Sequence, residues 1–325
     1  MKSRSDAEVA RSQPSRSCAS GATFGMSRRR FVGASAAACA LGALSSFVGS
    51  KCATLAVLAD ATVDLRRGRE WTLGRLHQAV AHLRRLPAAP DALLFLGGLS
   101  ANGDRREIEL GADALAACGC AVHAVPGPID RAVDGGAAWR ERFGDAPAAF
   151  ELAGTRILLL DSAQLVPGPG AVAPRRSRLR IDTALESYRV GWFELAEAQI
   201  AWLAAELETT PATAPVIAAS HVPLSPLYRP WNWGVGKGGE RALGLLDRHP
   251  SVTLLFGQVR SRLRTAWGAG RVAYSVPAVG SPQPPPRALC RALGLPLERA
   301  HTARGLAFAR LAESAEPMLR FVALA

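Results

Sequence analysis

The stretch Ala121-Val-His-Ala-Val-Pro-Gly-Pro-Ile-Asp130 starts as an apolar run and breaks at Pro126-Gly127-Pro128. A short apolar segment closed by Pro and Gly marks a buried strand entering a tight turn. The turn itself carries almost no side chain that could do chemistry. Two upstream segments have the same form, Leu55-Ala-Val-Leu-Ala-Asp60-Ala-Thr62 and Leu94-Phe-Leu-Gly97-Gly98. Strands are therefore expected over Ala53 to Ala59, Asp91 to Leu96 and Ala121 to Val125. Between them, Trp71 to Leu86 places Trp71, Leu73, Leu76, Val80 and Leu83 at helical spacing with basic residues between, and Glu107 to Cys118 repeats the pattern. Strands alternating with amphipathic helices predict a largely parallel sheet covered by helices.

Beyond Phe150 the pattern changes. Ala149 to Leu152 and Thr155 to Leu160 flank Gly154 as in a hairpin. Gln164 to Tyr188 reads as a long Pro/Gly/Arg loop, and Leu195 to Leu207 as a helix. Strands follow at Pro215 to Ala219 and Val252 to Phe256, with the loop Tyr228 to Gly239 and a helix at Glu240 to Arg248 between them. Four closing runs, Arg262 to Trp267, Arg271 to Val276, Leu306 to Leu311 and Leu319 to Ala323, are expected as antiparallel strands of a second sheet. The whole predicts an α/β fold: one domain over residues 53–325, with two packed mixed sheets flanked by helices.

Residues 1–50 stand apart as an N-terminal extension. Ser27-Arg28-Arg29-Arg30-Phe31-Val32 resembles a twin-arginine export signal, followed by an uncharged Ala/Gly/Ser-rich stretch, Gly33 to Gly49. That stretch is weakly apolar for a membrane span of about 20 residues. The protein is expected to be periplasmic or otherwise exported. Membrane contact is expected only through this segment, which becomes an anchor if it stays uncleaved.

Of the net charge of +12, much lies in this extension. Through Lys51 there are eight Lys/Arg and two Asp/Glu, leaving 31 basic against 25 acidic residues. The one basic run beyond it, Arg175-Arg176-Ser-Arg178-Leu-Arg180, reads as a solvated loop, so nucleic acid is not expected as a partner. Cys118-Gly119-Cys120 is too close in sequence for an unstrained bridge, and no Cys-x-x-Cys pair suggests structural zinc.

The chain has no His-Glu-x-x-His, no Gly-x-Ser-x-Gly elbow and no Gly-x-x-x-x-Gly-Lys-Ser/Thr loop. Gly234-Val-Gly236-Lys-Gly-Gly239 lacks the leading buried strand that a nucleotide loop requires. Tyr228, Arg229, Trp231 and Trp233 form an aromatic cluster that suits either a local core or a recognition surface.

The order and spacing of the strand-end loops resemble the calcineurin-like metallophosphoesterases over nearly all of residues 53–280. That family carries Asp-x-His, Gly-Asp, Gly-Asn-His-Asp/Glu, a lone His and Gly-His-x-His on five such loops, and a four-layer αββα sandwich is the implied fold. In the family two metal ions hold a bridging hydroxide that attacks phosphorus while both cations stabilise the developing charge. Here Asp60 matches the first loop with Thr62 in the His position, and Gly98 stands where the bridging aspartate belongs. Pro128 replaces the Asn ligand and Ile129 the catalytic His. His221 is retained in the fourth loop, and Gln258 and Arg260 replace both His ligands of the fifth.

Only Asp60 and His221 remain as ligands, and in the family they serve different metals. Catalytic metal sites usually have at least three protein ligands. A resident cofactor is therefore not expected; the alternative is one or two divalent ions (Mn, Fe or Zn), with Asp64, Asp104 or Asp130 moving in. A buried carboxylate deprived of its metal needs a cation, and the resemblance puts Arg260 on the same ion as Asp60, so an Asp60–Arg260 ion pair is expected. The resemblance then implies a pseudoenzyme that binds an unknown protein partner or a small anionic ligand through Arg260, Arg131, Tyr228, Trp231 and Trp233. The alternative is an active metal-dependent phosphoesterase with a remodelled site.

Overall fold

In the computed structural model, the described residues are 52–66, 69–132, 134–165, 193–224, 227, 234–268, 270–282, 291, 303–312 and 315–324. The N-terminal segment that resembles an export signal, the Arg175 to Arg180 run and the Tyr228, Arg229, Trp231 and Trp233 cluster lie outside them.

The first half follows the alternation read from the sequence: β1 (Cys52–Leu58), α1 (Arg69–Arg84), β2 (Ala92–Phe95), α2 (Arg105–Ala116) and β3 (Ala121–Ala124). A further helix, α3 (Ala137–Phe143), was not expected; its Trp139 is fully buried. Then come β4 (Ala148–Leu152), β5 (Thr155–Leu159), the short pair β6 (Gln164–Leu165) and β7 (Phe193–Glu194), and α4 (Glu197–Thr209). The chain continues with β8 (Val216–Ser220), α5 (Gly239–Leu246), β9 (Val252–Phe256), β10 (Leu263–Trp267), β11 (Arg271–Ser275), β12 (Gly305–Ala312) and β13 (Ala315–Ala323).

Two mixed sheets result. One has the order β13-β12-β1-β2-β3, the other β10-β11-β9-β8-β5-β4. The strands β1, β2 and β3 are parallel, as are β5, β8, β9 and β11. The closing strands differ from expectation: β12 and β13 extend the first sheet, with β12 antiparallel to β1, and β11 runs parallel to β9.

Period-two alternation assigns the layers. Leu55 and Val57 of β1 face Ile157, Ile217 and Leu255 of the other sheet in a shared inner core. Ala56 and Leu58 face outward onto Leu73, Leu76 and Leu83 of α1 and Ile108 of α2. On the far side, Ala218 and Leu254 pack under Ile200 and Leu203 of α4 and Leu246 of α5. The layers are helix, sheet, sheet, helix. Each fully buried Leu or Val side chain contributes roughly 1.5–3 kcal/mol relative to exposure, so the three apolar layers hold the strand ends in register.

Trp71 departs from its expected core position. It is 44% exposed, with the Arg75 guanidinium 4.3 Å from its ring centroid. Thr72 turns inward instead and accepts a hydrogen bond from the Asp64 N–H at 2.8 Å. Trp71 lies about 200° around the helix from Leu73, which places it off the apolar stripe.

Candidate functional site

The loops that resembled the phosphoesterase motifs gather where the carboxyl ends of β1, β2, β3, β8 and β9 meet. This is the usual place for a ligand crevice in α/β sheets. Backbone hydrogen bonds join them: Asp60 N–H donates to Gly97 O at 2.9 Å, Thr62 N–H to Gly98 O at 2.8 Å and Gly257 N–H to His221 O at 3.1 Å.

Their backbone is strained in a particular pattern. Asp60, Thr62, Gln258 and Arg260 have φ of 52°, 47°, 57° and 58°. Left-handed geometry in non-glycine residues costs about 1–3 kcal/mol each and persists only where the surroundings enforce it. Thr62, being β-branched, is the clearest outlier. No sequence signal marks these positions, because all four side chains normally avoid such angles.

At the centre lies Asp60, 1% exposed. Its Oδ1 is 3.5 Å from Nε of Arg260, whose side chain is 28% exposed. The expected ion pair is formed. The other carboxylate oxygen, Asp60 Oδ2, is buried with no hydrogen-bond partner among the described residues, as are Thr62 Oγ1 and Gln258 Oε1.

Gly98 has no room for a carboxylate. At its φ of 71°, a Cβ would fall 2.7 Å from Asp60 Oδ1. Asp60 occupies the space that a side chain at this position would need.

His221 is 4% exposed, and its Nδ1 lies 2.6 Å from the Leu96 carbonyl. That contact requires Nδ1 to carry a proton, so a lone pair on this ring can only be on Nε2. Nε2 borders the Gly127 turn, where an added Cβ would meet it at 3.2 Å.

Asp130, from the opening stretch, ties two loops together. Its Oδ2 accepts from Gly98 N–H and Gly127 N–H at 2.8 Å each, and its Oδ1 from Ser100 N–H at 2.8 Å. Pro128 starts the 3-10 turn Ile129–Arg131 that aims this carboxylate inward. Burial pushes the Asp130 carboxyl up to about 6, against the pull of the three N–H donors and of His221. A carboxyl raised in the fold from 3.8 stabilises the fold most below about pH 4, and that contribution is lost as pH rises through about 6. The difference corresponds to on the order of 3 kcal/mol. Urea unfolding of the wild type and of Asp130→Asn across this range should show the pH dependence shrinking in the variant. Equal slopes would place the titration elsewhere.

Arg131, expected as an anion contact, already has a partner. Its Nη1 lies 2.5 Å from Oδ2 of the fully buried Asp161. Burial raises the Asp161 carboxyl and Arg131 opposes that rise. The Nε of Arg131 is buried without a partner.

The carboxylates considered as replacement metal ligands are also engaged. Asp104 caps α2 by accepting from Arg106 N–H at 2.8 Å, and Asp64 accepts from Arg66 N–H and from Asn102. Asp130 uses both oxygens on backbone N–H groups. Among the described residues, no group of three or more His, Cys, Asp and Glu side chains is placed to hold a metal ion. The donor set does not fit a binuclear centre: one carboxylate oxygen faces a guanidinium, and the remaining neighbours are a hydroxyl, an amide and a single imidazole nitrogen.

No protein-family model matches the sequence, and no curated protein does. Solved structures do match. A dimetal phosphatase from Danio rerio superposes with a TM-score of 0.55 at 18% identity, over 82% of this chain and 98% of that one. Purple acid phosphatase from seeds of yellow lupin (Lupinus luteus) gives 0.57 at 12% identity, over 85% of this chain and 52% of that one, so this chain spans about half of the lupin enzyme. PhoD gives 0.52 at 10% identity, over 85% of this chain and 69% of that one. The two mixed sheets, their flanking helices and these neighbours show that the chain has the metallophosphoesterase-type α/β sandwich fold.

Proposed function

We propose that this is an exported binding protein built on a phosphoesterase scaffold, with the hydrolytic centre replaced by the Asp60–Arg260 pair. The observation that carries the reading is that pair, at 3.5 Å beside a Gly98 that cannot accept a side chain without displacing Asp60. A guanidinium against a buried carboxylate supplies the compensating charge that a cation would supply. The pair engages Nε of Arg260. Among the described residues no second carboxylate lies within ion-pair distance of it, so its Nη groups remain for a small anion or for acidic groups of a protein partner.

A second reading rests on the three buried oxygens that lack partners: Asp60 Oδ2, Thr62 Oγ1 and Gln258 Oε1. Carboxylate, hydroxyl and amide oxygens suit a hard divalent ion, and a remodelled phosphoesterase would use them with His221. Metal content per chain, measured on full-length protein after incubation with excess manganese, iron or zinc, separates the two. Under the first reading, bound metal stays far below one ion per chain and no phosphomonoester or phosphodiester is hydrolysed. Stoichiometric metal that is lost in Asp60→Asn, together with hydrolysis, would establish the second reading and overturn the first. Inorganic phosphate should raise the melting temperature of the wild type and not that of Arg260→Leu.

A further inference from the structure

Away from this cleft, at the junction of α2 and β3, Cys118 and Cys120 bring their sulfurs to 3.3 Å. Both are free thiols. Gly119 between them has a φ of +84°, and a Cβ there would meet nothing within 4 Å. The turn is thus held by left-handed backbone geometry that glycine adopts without cost, and its effect is to fold both thiols toward one another. The spacing alone pointed to a strained bridge. In the fold the thiols are already in contact.

The two sulfurs differ in their surroundings. Cys118 is 6% exposed and packs with Leu115 and Ala124 in the outer core of the first sheet, whereas Cys120 is only partly buried. Solvent and a reagent reach the second sulfur more readily than the first. The Cys120 S–H donating to its neighbour holds the Cys118 thiol down to about 6, and the same shared proton pushes Cys120 up.

We propose that Cys118-Gly119-Cys120 is a thiol–disulfide exchange site that cycles between a dithiol and an internal disulfide. In the oxidising direction the co-reactant is a disulfide, small or protein-borne. Cys120 loses its proton to solvent as its sulfur attacks one sulfur of R–S–S–R; the mixed disulfide forms and one RS⁻ leaves, taking a proton from solvent. The Cys118 thiolate, already the charged member of the pair, then attacks Cys120 Sγ and expels the second RS⁻, which takes its proton from solvent. The balance is one dithiol and one external disulfide converted into one internal disulfide and two thiols. In reverse, a substrate thiolate attacks the accessible Cys120 sulfur and Cys118 departs, the better leaving group because its thiolate is the more stabilised. A bridge across a single intervening residue is strained and therefore readily reduced, which suits exchange rather than a structural role.

The test equilibrates the full-length protein in buffers of reduced and oxidised glutathione, quenches it with acid, alkylates the remaining thiols and maps the peptides by mass spectrometry. The expected result is reversible loss of two hydrogens from the peptide that holds both cysteines. Cys118→Ser should stop at a glutathione adduct on Cys120, and Cys120→Ser should lose the exchange at this peptide. Oxidised wild type should oxidise a reduced dithiol peptide at least tenfold faster than Cys118→Ser does. Glutathione that stays on Cys120 in the wild type, or no oxidation of either sulfur while the exposed Cys52 reacts, would overturn the proposal. Internal oxidation by glutathione disulfide without turnover of the dithiol peptide would restrict the co-reactants to small disulfides.

Discussion

Replacement of Arg260 by leucine is expected to destabilise the protein by about 2–4 kcal/mol, and adding Asp60→Asn is expected to recover most of the loss. Removing one partner of a buried ion pair typically costs about 3–5 kcal/mol, because the remaining charge is left without compensation. The range here is lowered because the Arg260 side chain is 28% exposed and water can reach the pair. Asp60, at 1% exposure, cannot recover its hydration without opening the cleft. Leucine bears the same left-handed backbone cost at position 260 as arginine does, so the difference reports the charge. Urea unfolding of the two single variants and the double variant should give a coupling energy of about 1–3 kcal/mol. Additive effects would show that the two side chains ignore each other and would remove the observation on which the proposed binding function rests.

The second large effect is expected at Gly98. Alanine there must hold a φ near +71° and place a Cβ 2.7 Å from Asp60 Oδ1 and 3.2 Å from Asp60 Cα. Left-handed geometry costs about 1–2 kcal/mol and overpacking about 1–3 kcal/mol, so Gly98→Ala should lose about 2–5 kcal/mol. Gly98→Asp, which places an aspartate where the family resemblance puts a bridging one, should be at least as destabilising, since it sets a second carboxylate against Asp60. It should not gain metal. Thermal and urea unfolding measure the loss, and metal content measures the gain. A stable Gly98→Asp protein that takes up manganese would show that the loop can open to admit both carboxylates and an ion.

Parts of this structure were legible because the physics is local. Leu55 to Leu58 and Leu93 to Phe95 are apolar on both strand faces, which only a sheet covered on both sides can bury. The α1 stripe Leu73, Leu76, Val80 and Leu83 is buried as its spacing demands. The Asp60–Arg260 pair was also foreseen, since a carboxylate at a buried strand end needs a cation and the loop resemblance named one. Other parts rest on contacts between residues far apart in sequence. The alternation in Leu306 to Leu311 marks a strand and says nothing of its neighbour; its pairing with β1, across roughly 250 residues, follows from where the two sheets leave an open edge.

The sequence by itself determined most of the strands and helices, the two-sheet class and which side chains stand on the strand-end loops, because hydrophobic period, turn chemistry and side-chain identity are properties of short segments. The tertiary structure decided what these loops do together. It occupied Arg131 with Asp161, engaged Asp130 with three backbone N–H groups and left Asp60 Oδ2, Thr62 Oγ1 and Gln258 Oε1 buried with no hydrogen-bond partner among the described residues. It also brought two thiols into contact that spacing alone had marked as strained. Each of these depends on left-handed backbone angles or long-range approach, and neither is encoded in a residue's identity.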